Sequence, residues 1–380
     1  MDILWRLFRQ QGCICASINK RSEIARLQLI KRAKTATLCL LMAMIAATVA
    51  CQNEHSKPGE SAGTPFQVAL LTPGPVSDAG WNAAAYDGLQ LIQRQLRAQT
   101  ALVQTTSPAD FDDAFRDFAA RGFKLIFAHG FEYTDAALGA GRQFPHSYFV
   151  VTSGSGASAN VASVTFKIEQ AAYVLGVLAG RMSTTGMAGT IGGIELPAIK
   201  LTFEGFKRGF MSVRPRGRVL TSFIGSFDDV GAAKEAALAE ISQGADMLFH
   251  NADAAGLGVF QAAGQRHVYA FGSNRDQNDV APAVVLASAV TSIPQAFLKI
   301  AREVKAGNFH PRMIEFGMAD GMVRVLLNQR LQSRIPPTVM AQVKNAEQAI
   351  VSGKIIVPSQ YADLEREMHK LEANGEKMQH

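Results

Sequence analysis

Residues 70–82 read Leu70-Leu71-Thr72-Pro73-Gly74-Pro75-Val76-Ser77-Asp78-Ala79-Gly80-Trp81-Asn82. The apolar run at residues 66–71 predicts a buried strand, and the Pro/Gly-rich segment after it cannot continue that strand. A helical pattern begins directly afterwards, with Asp78, Trp81 and Asn82 at the junction. Open α/β sheets bind ligands at the carboxyl ends of their strands. The stretch therefore predicts a ligand-binding loop between a first strand and a first helix.

Apolar runs and helical patterns alternate along the rest of the chain, which predicts α/β units with parallel sheets covered on both faces. The pattern restarts after residue 166, and two such units in tandem predict two lobes with a cleft between them. A length of 380 residues also favours two domains. The predicted strands are 66–71, 101–104, 124–128, 147–151, 162–166, 188–192, 218–223, 246–250, 267–272, 283–289, 313–316, 322–327 and 354–357, with 313–316 and 322–327 as a pair. The predicted helices are 82–97, 108–121, 134–141, 169–182, 198–211, 229–243, 257–264, 292–305 and 342–352.

The front of the chain has the pattern of an export signal. A basic region precedes the apolar run at residues 35–50, which ends in small residues before Cys51. The run is shorter than the roughly 20 residues that a membrane-spanning helix needs. Residues 47–51 resemble a bacterial lipoprotein cleavage site, so Cys51 would carry the lipid. A plain signal peptide and an uncleaved anchor are the alternatives. We expect a lipoprotein held at the periplasmic or extracellular face of the cell envelope.

The net charge of +6 does not indicate a nucleic-acid partner. Residues 1–50 contain eight of the 38 basic residues and two of the 32 acidic ones, so the rest of the chain holds 30 of each. Cys13, Cys15 and Cys39 also lie in the segment that would be removed. The mature chain is therefore expected to have no disulfide and no cysteine metal site.

These patterns predict the following organisation. Residues 1–50 are a signal peptide and 51–64 a flexible tether. Residues 65–166 form lobe 1 with about 290–327, and 167–289 form lobe 2 with about 328–360. Residues 361–380 form a charged tail.

The motifs favour binding over catalysis. The sequence has no nucleophile elbow, Walker loop or dinucleotide fingerprint, and we expect no cofactor and no metal. His129 and His250 each end a predicted strand, where polar residues are commonly hydrogen-bonded. The loops instead carry aromatic and polar side chains that suit a flat, polar-edged small molecule. The candidate ligand-binding residues are Asp78, Trp81, Asn82, Phe131, Glu169, Phe203, Asn274 and Asp276.

Six segments of the sequence carry a family resemblance when they are taken in order. They are 78–82, 173–180, 192–193 with 203–206, 244–246, 256–263 and 272–277. Together they resemble the basic membrane protein family, the purine nucleoside receptor A-like substrate-binding lipoproteins of ABC transporters. The resemblance implies a type I periplasmic binding protein fold, in which two Rossmann-like lobes with parallel sheets are joined by a hinge of several crossovers. It also implies an ABC permease as the membrane partner.

In this family, as the resemblance implies, a purine base is held between aromatic rings and its edge is bound by acidic and amide groups. Trp81 matches the first stacking ring, and Asp78 and Asn82 match the polar pair. Phe203 lies at or beside the second stacking position, for which Thr202 is the stricter match. Two family residues, an acidic and a basic one, are absent. Asn274 and Thr291 replace them, so we expect a more neutral pocket that prefers a nucleobase to a ribonucleoside.

We therefore expect an extracytoplasmic substrate-binding lipoprotein of an ABC importer. It would be a monomer without catalytic activity that closes on a purine-like ligand by hinge motion. One alternative is a ligand-sensing subunit for a membrane receptor, and another is a nucleoside-processing α/β enzyme. A DNA-binding repressor shares the lobe architecture, but an export signal stands where its DNA-binding motif would be.

Overall fold

A computed structural model describes residues 65–78 and 80–359. The predictions for the signal peptide, Cys51, the tether and the charged tail lie outside these residues. The strands are β1 Gln67–Thr72, β2 Gln99–Gln104, β3 Leu125–His129, β4 Tyr148–Thr152, β5 Val161–Phe166, β6 Met187–Gly192, β7 Arg218–Phe223, β8 Met247–Asn251, β9 Tyr269–Asn274, β10 Val285–Thr291, β11 Met313–Phe316 and β12 Val323–Leu327. The α-helices are α1 Trp81–Leu96, α2 Pro108–Ala120, α3 Thr134–Gln143, α4 Ile168–Met182, α5 Pro197–Val213, α6 Val230–Ser242, α7 Gly256–Arg266, α8 Ile293–Lys305 and α9 Pro337–Val351.

The first lobe is built on a six-stranded parallel sheet with the order β11-β5-β4-β3-β1-β2. Strand β1 is apolar from Val68 to Leu71 because both of its faces are covered. Val68 and Leu70 pack on one side of the sheet, against helices α1 and α8. Ala69 and Leu71 pack on the other side, against helices α2 and α3. This two-sided burial explains why the run showed no polar alternation.

The second lobe is built on a six-stranded sheet with the order β12-β10-β9-β8-β6-β7. Five of its strands are parallel, and β12 runs antiparallel to β10 at one edge. Helices α4, α5 and α9 cover one face, and helices α6 and α7 cover the other. The two mainly parallel sheets confirm the predicted α/β fold of the type I periplasmic binding protein class.

Three crossovers join the lobes, and they are hydrogen-bonded to one another. They follow β5, β10 and β11. The N–H of Lys167 donates to the carbonyl of Phe316 at 2.8 Å, which ties the first crossover to the third. The N–H of Ser292 donates to the carbonyl of Met322 at 2.7 Å, which ties the second to the third. The hinge is therefore a bundle of three adjacent segments.

Two predictions about the later elements are wrong. Residues 323–327 pair with β10 of the second sheet, whereas residues 313–316 pair with β5 of the first. The short turn between these two apolar runs was taken for a hairpin, but it carries the chain across the hinge. The end of the segment assigned to lobe 1 thus belongs to the second sheet.

The predicted strand at residues 354–357 is also wrong. This segment has no strand partner; Val357 is buried against the core of the second lobe while Ile356 is 86% exposed. Ile355 and Val357 pack this segment onto the lobe rather than extend the sheet. Helix α9 begins at Pro337, five residues earlier than predicted. Among the described residues, no helix has the length and apolar character needed to cross a membrane.

Candidate functional site

Asp78 is buried and holds the start of helix α1. One carboxylate oxygen accepts the N–H groups of Gly80 at 3.0 Å and Ala83 at 2.9 Å. The other oxygen accepts the N–H of Asn82 at 2.8 Å and the side-chain Nδ2 of Asn82 at 2.9 Å. A carboxylate has about four acceptor positions, so these four donors fill it. Asp78 stabilises the first turn of the helix, as a capping residue does.

Trp81 is the first residue of helix α1, and its ring lies against His129. The two ring centroids are 4.1 Å apart with an interplanar angle of 25°. The Nε2 of His129 lies 3.0 Å from the carbonyl oxygen of Trp81, and its Nδ1 lies 2.8 Å from the hydroxyl of Thr152. Burial lowers the pKa of His129 to about 3, so the imidazole is neutral at physiological pH. It therefore donates from Nε2, accepts at Nδ1 and supports the indole from one face.

His250 has a comparable structural role in the second lobe. Its Nε2 lies 3.0 Å from Oε1 of Gln277, and burial lowers the pKa of the ring to about 4. Gln277 Oε1 also accepts the N–H of Ser273 at 3.0 Å. Both strand-end histidines are thus hydrogen-bonded and neutral.

Asn82 presents an unpaired acceptor. Its Nδ2 must face the carboxylate of Asp78, since only the amino end of the amide can donate to it. This contact fixes the orientation of the side chain. The opposite atom, Oδ1, is buried and has no hydrogen-bond partner within the described residues. Buried polar atoms without partners are rare and need an explanation.

Asp253 brings a carboxyl group from the second lobe to the start of helix α1, and sequence analysis did not single it out. It follows β8, and its Oδ1 lies so close to Gly80 that a Cβ on that glycine would be 2.7 Å away. The Nδ2 of Asn274 donates to Oδ1 of Asp253 and to Oδ1 of Asn251, each at 3.3 Å. In the sequence, Asp253 is recognisable only as an acidic residue in a loop after a predicted strand.

The environment of Asp253 disfavours its charged form. Burial raises the pKa of its carboxyl group to about 7, and the nearby carboxylate of Asp78 raises it further. The amide of Asn274 and the N–H of Trp81 partly offset this rise. Asp253 thus supplies a carboxyl group beside Asn274, the amide that stands where the resemblance implies an acid.

The remaining candidate residues differ in what they contact. Phe131 lies on a single helical turn after β3, and its side chain is 53% exposed. Phe203 is buried in the second lobe, where its ring centroid lies 5.8 Å from that of Phe223 and 6.0 Å from that of Phe249. Its ring is packed as part of the lobe's core. Asp276 is exposed and accepts the N–H of Asn278 at 3.0 Å in its own loop.

Glu169 lies in the first turn of helix α4, next to the hinge. The side chain is buried, and its Oε1 has no hydrogen-bond partner within the described residues. Burial raises the pKa of its carboxyl group to about 8, and the nearby Glu315 raises it further. Lys167 lowers the pKa but is itself paired with Glu315 at 2.7 Å.

A second contact joins the lobes beside Trp81. The guanidinium of Arg275, in the loop after β9, lies 2.8 Å from the carboxylate of Asp87 on helix α1. Asp253 and Arg275 thus bring the second lobe against two parts of the same helix. A groove of about 500 Å³ lies elsewhere, between helices α2 and α3, and shares no residue with this cluster. Among the described residues, no group of three or more His, Cys, Asp or Glu side chains could hold a metal ion.

Two lobes with mainly parallel sheets, joined by three crossovers, define the type I periplasmic binding protein fold. The chain belongs to the Bmp family, ABC transporter substrate-binding protein PnrA-like, which it matches over residues 66–361. The protein is therefore a substrate-binding protein of an ABC transporter.

Relatives in several bacteria support this assignment. Basic membrane protein A of Borreliella burgdorferi is 26% identical over 79% of this chain and 90% of its own length. A purine-binding protein of Brucella abortus is 28% identical over 76% of this chain and 82% of its own length. The nucleoside-binding protein BmpA of Lactococcus lactis is 27% identical over 87% of this chain and 100% of its own length.

A solved structure from Aeropyrum pernix shares the fold. It is an ABC transporter solute-binding protein with a TM-score of 0.72, and it is 19% identical to this chain. The match covers 81% of this chain and 98% of that structure.

Proposed function

We propose that this chain is a lipid-anchored substrate-binding protein that delivers a purine nucleobase or a similar planar heterocycle to an ABC permease. The observation that carries the proposal is the position of Trp81. Its ring begins helix α1 at the carboxyl end of β1, and the second lobe contacts the same turn through Asp253.

His129 supports one face of the indole at 4.1 Å, so a planar ligand would stack on the other face. Offset stacking of aromatic rings is worth about 1 kcal/mol beyond the area that it buries. The polar atoms of Asn82 and Asp253 would then bind the edge of the ligand. An aromatic ring with polar groups beside it suits a heterocycle better than a sugar or an amino acid.

The contacts between the lobes favour a compact ligand. Asp253 approaches Gly80 closely, and Arg275 is paired with Asp87 further along helix α1. These contacts on the same helix limit the space beside Trp81. A free base therefore fits better than a ribonucleoside, which agrees with the absence of a basic residue at Thr291. Two relatives, a purine-binding and a nucleoside-binding protein, support the same ligand class.

Ligand capture would proceed by closure about the three crossovers. A ligand that contacts both lobes binds the closed form more tightly, and this difference in affinity shifts the population toward it. Only the closed form would present both lobes to the permease together. Both nitrogens of the neutral His129 are used in structural hydrogen bonds, which favours binding without turnover.

The test is a calorimetric titration of the full chain with adenine, hypoxanthine, adenosine and inosine. We expect the free bases to bind more tightly than the matching nucleosides and to be recovered unchanged. Preferential binding of the nucleosides would contradict the preference for bases. Conversion of any of these ligands would contradict the transport role.

The lipid anchor is tested separately in cells. Cys51→Ser should move the protein from the membrane fraction to the soluble envelope fraction, because the thiol is the attachment point for the lipid. Retention of the variant in the membrane would contradict lipidation at Cys51.

A further inference from the structure

We infer that Asp253 is the residue that determines ligand specificity, and that it selects heterocycles carrying an exocyclic amino group over their oxo counterparts. This inference rests on the proposed function, since it concerns the same cleft. Nothing in the sequence resemblance assigned a role to this position. The argument depends on which polar atoms beside Trp81 are already paired and which are not.

Three donors in this part of the cleft are already used. The amide of Asn274 donates to Asn251 and Asp253. The hydroxyl of Thr291 donates to the carbonyl of Asn274 at 3.1 Å. The guanidinium of Arg275 is paired with Asp87. The buried hydroxyl of Ser273 has no partner within the described residues, and a hydroxyl can accept as well as donate.

The acceptors are not fully used. Oδ1 of Asn82 is buried without a partner, and its orientation is fixed by Asp78. Asp253 accepts the amide of Asn274 at 3.3 Å, which is longer than a strong hydrogen bond, and the N–H of Trp81. A carboxylate has about four acceptor positions, so these two donors do not fill it. Asp78, by contrast, has its four acceptor positions filled. The unfilled acceptors of Asn82 and Asp253 complement a ligand that brings N–H groups.

The backbone at Asp253 indicates that the side chain is held in place for a purpose. Its φ angle is +45°, in the left-handed region that non-glycine residues rarely adopt. Aspartate tolerates this region better than most residues. The opposing residue is Gly80, which has no side chain to keep the carboxyl group away. Uncommon backbone conformations of this kind cluster at binding sites.

Above its pKa of about 7, the carboxyl group of Asp253 is mainly ionised. An amino group would then donate to the carboxylate, and a charged acceptor makes such a bond stronger than a neutral one. A carbonyl oxygen in the same place would face the carboxylate without a hydrogen bond. A site whose buried polar groups are left unpaired by one analogue discriminates strongly against it. Amino-bearing bases should therefore bind more tightly than oxo-bearing bases of the same shape.

The experiment compares two matched pairs, adenine with hypoxanthine and cytosine with uracil, by calorimetric titration of the full chain at pH 8, where Asp253 is mainly ionised. Wild type should bind the amino member of a bound pair at least tenfold more tightly. Asp253→Asn keeps the shape of the side chain but replaces one acceptor oxygen by a donor. We expect it to lose this preference, with weaker binding of the amino member and equal or tighter binding of the oxo member.

Asp279→Asn is the control, because it removes the same charge from an exposed residue that pairs only with Arg330. Its selectivity should equal that of wild type. Equal weakening of both members in Asp253→Asn would show a merely structural role and contradict the inference, as would unchanged selectivity. Binding of the pyrimidine pair alone, with the expected loss in Asp253→Asn, would contradict the purine assignment and support the inference. Binding of none of the four bases would contradict both.

Discussion

Trp81 provides a direct optical test at the scale of single residues. It is the only tryptophan outside the predicted export signal, which contains Trp5. A ligand that stacks on the indole should change its emission, and Trp81→Ala should weaken binding about fivefold or more, equivalent to about 1 kcal/mol. Trp81→Phe is the matched control, since it keeps an aromatic face and most of the affinity. Unchanged emission on ligand binding, measured by fluorescence titration, would make Trp81 a packing residue only.

Glu169 makes stability depend on pH. Its pKa of about 8 in the folded protein lies above the ordinary value of 4.5, because burial disfavours the carboxylate. Between these two values the unfolded chain releases a proton that the folded protein keeps, so stability falls as pH rises. Glu169→Gln removes this dependence. We expect the variant to gain stability over wild type at pH 8 and much less at pH 5, measured by urea unfolding.

The control for this comparison is Glu235→Gln, which substitutes an exposed residue on helix α6. Because it removes no buried carboxyl group, its difference from wild type should be similar at the two pH values. A Glu169→Gln difference that is equally independent of pH would show that the carboxyl group ionises freely in the folded protein.

The residues of the site could be predicted only in part, for a physical reason. Residue types at strand ends indicated which loops to consider, and Trp81 and Asn82 lie there. The pattern could not show that the acceptor positions of Asp78 would be filled by four donors from its own helix turn. It also could not find Asp253, whose position depends on contacts between segments about 170 residues apart. The sequence alone does not show which carboxylate is saturated by donors at a helix start and which remains free to bind a ligand.

At the scale of elements, the contact between helices α4 and α5 depends on glycines. A Cβ at Gly209 would overlap the carbonyl oxygen of Tyr173 on helix α4. Backbone cannot move as a flexible side chain does, so Gly209→Ala should destabilise the protein by about 2 kcal/mol or more. Gly139→Ala is the matched control, because its nearest neighbour is the end of Arg142 at 3.9 Å. Replacement of this helical glycine should add about 0.5 to 1 kcal/mol.

Both glycine variants are measured by urea unfolding of the full chain. Equal stability of Gly209→Ala and wild type would mean that the two helices can separate without loss. A loss in Gly139→Ala would show that helix α3 has a hidden contact at this position.

The elements themselves were largely predictable, and the errors have a common cause. Strands β1 to β11 and most helices lie within a few residues of their predicted bounds, because two-sided burial produces clear apolar runs. The pairing of β12 was not predictable. A short turn can close a hairpin or carry the chain to another sheet, and the local sequence is compatible with both. The structure of residues 354–357 was not predictable for a similar reason, because a short apolar segment can pack against a core without joining a sheet.

At the scale of the whole molecule, the two lobes meet through groups that are far apart in sequence. Asp253 contacts the start of helix α1, and Arg275 pairs with Asp87 on the same helix. Both contacts exist only when the lobes are together. They should therefore contribute to the free energy of closure and not to the stability of either lobe alone. Substitutions at these contacts should therefore change the equilibrium between open and closed forms without unfolding the protein.

The ion pair between Asp87 and Arg275 is the contact best suited to test closure. Its side chains are 50% and 36% exposed, so the pair should contribute less than about 1 kcal/mol. Asp87→Ala should thus weaken ligand binding by less than fivefold, and the effect should shrink as salt is raised. The reversed pair, Asp87→Arg with Arg275→Asp, should recover part of the affinity while leaving the unfolding midpoint without ligand unchanged.

Asp113→Ala is the control, since Asp113 pairs with Arg116 within helix α2 of the first lobe. Removing an ion pair inside one lobe leaves the balance between open and closed forms unaltered. The ligand affinity of Asp113→Ala should therefore match that of wild type at each salt concentration. If the reversed pair binds no better than Asp87→Ala alone, the two side chains do not interact across the cleft. Closure would then depend on Asp253 and the ligand.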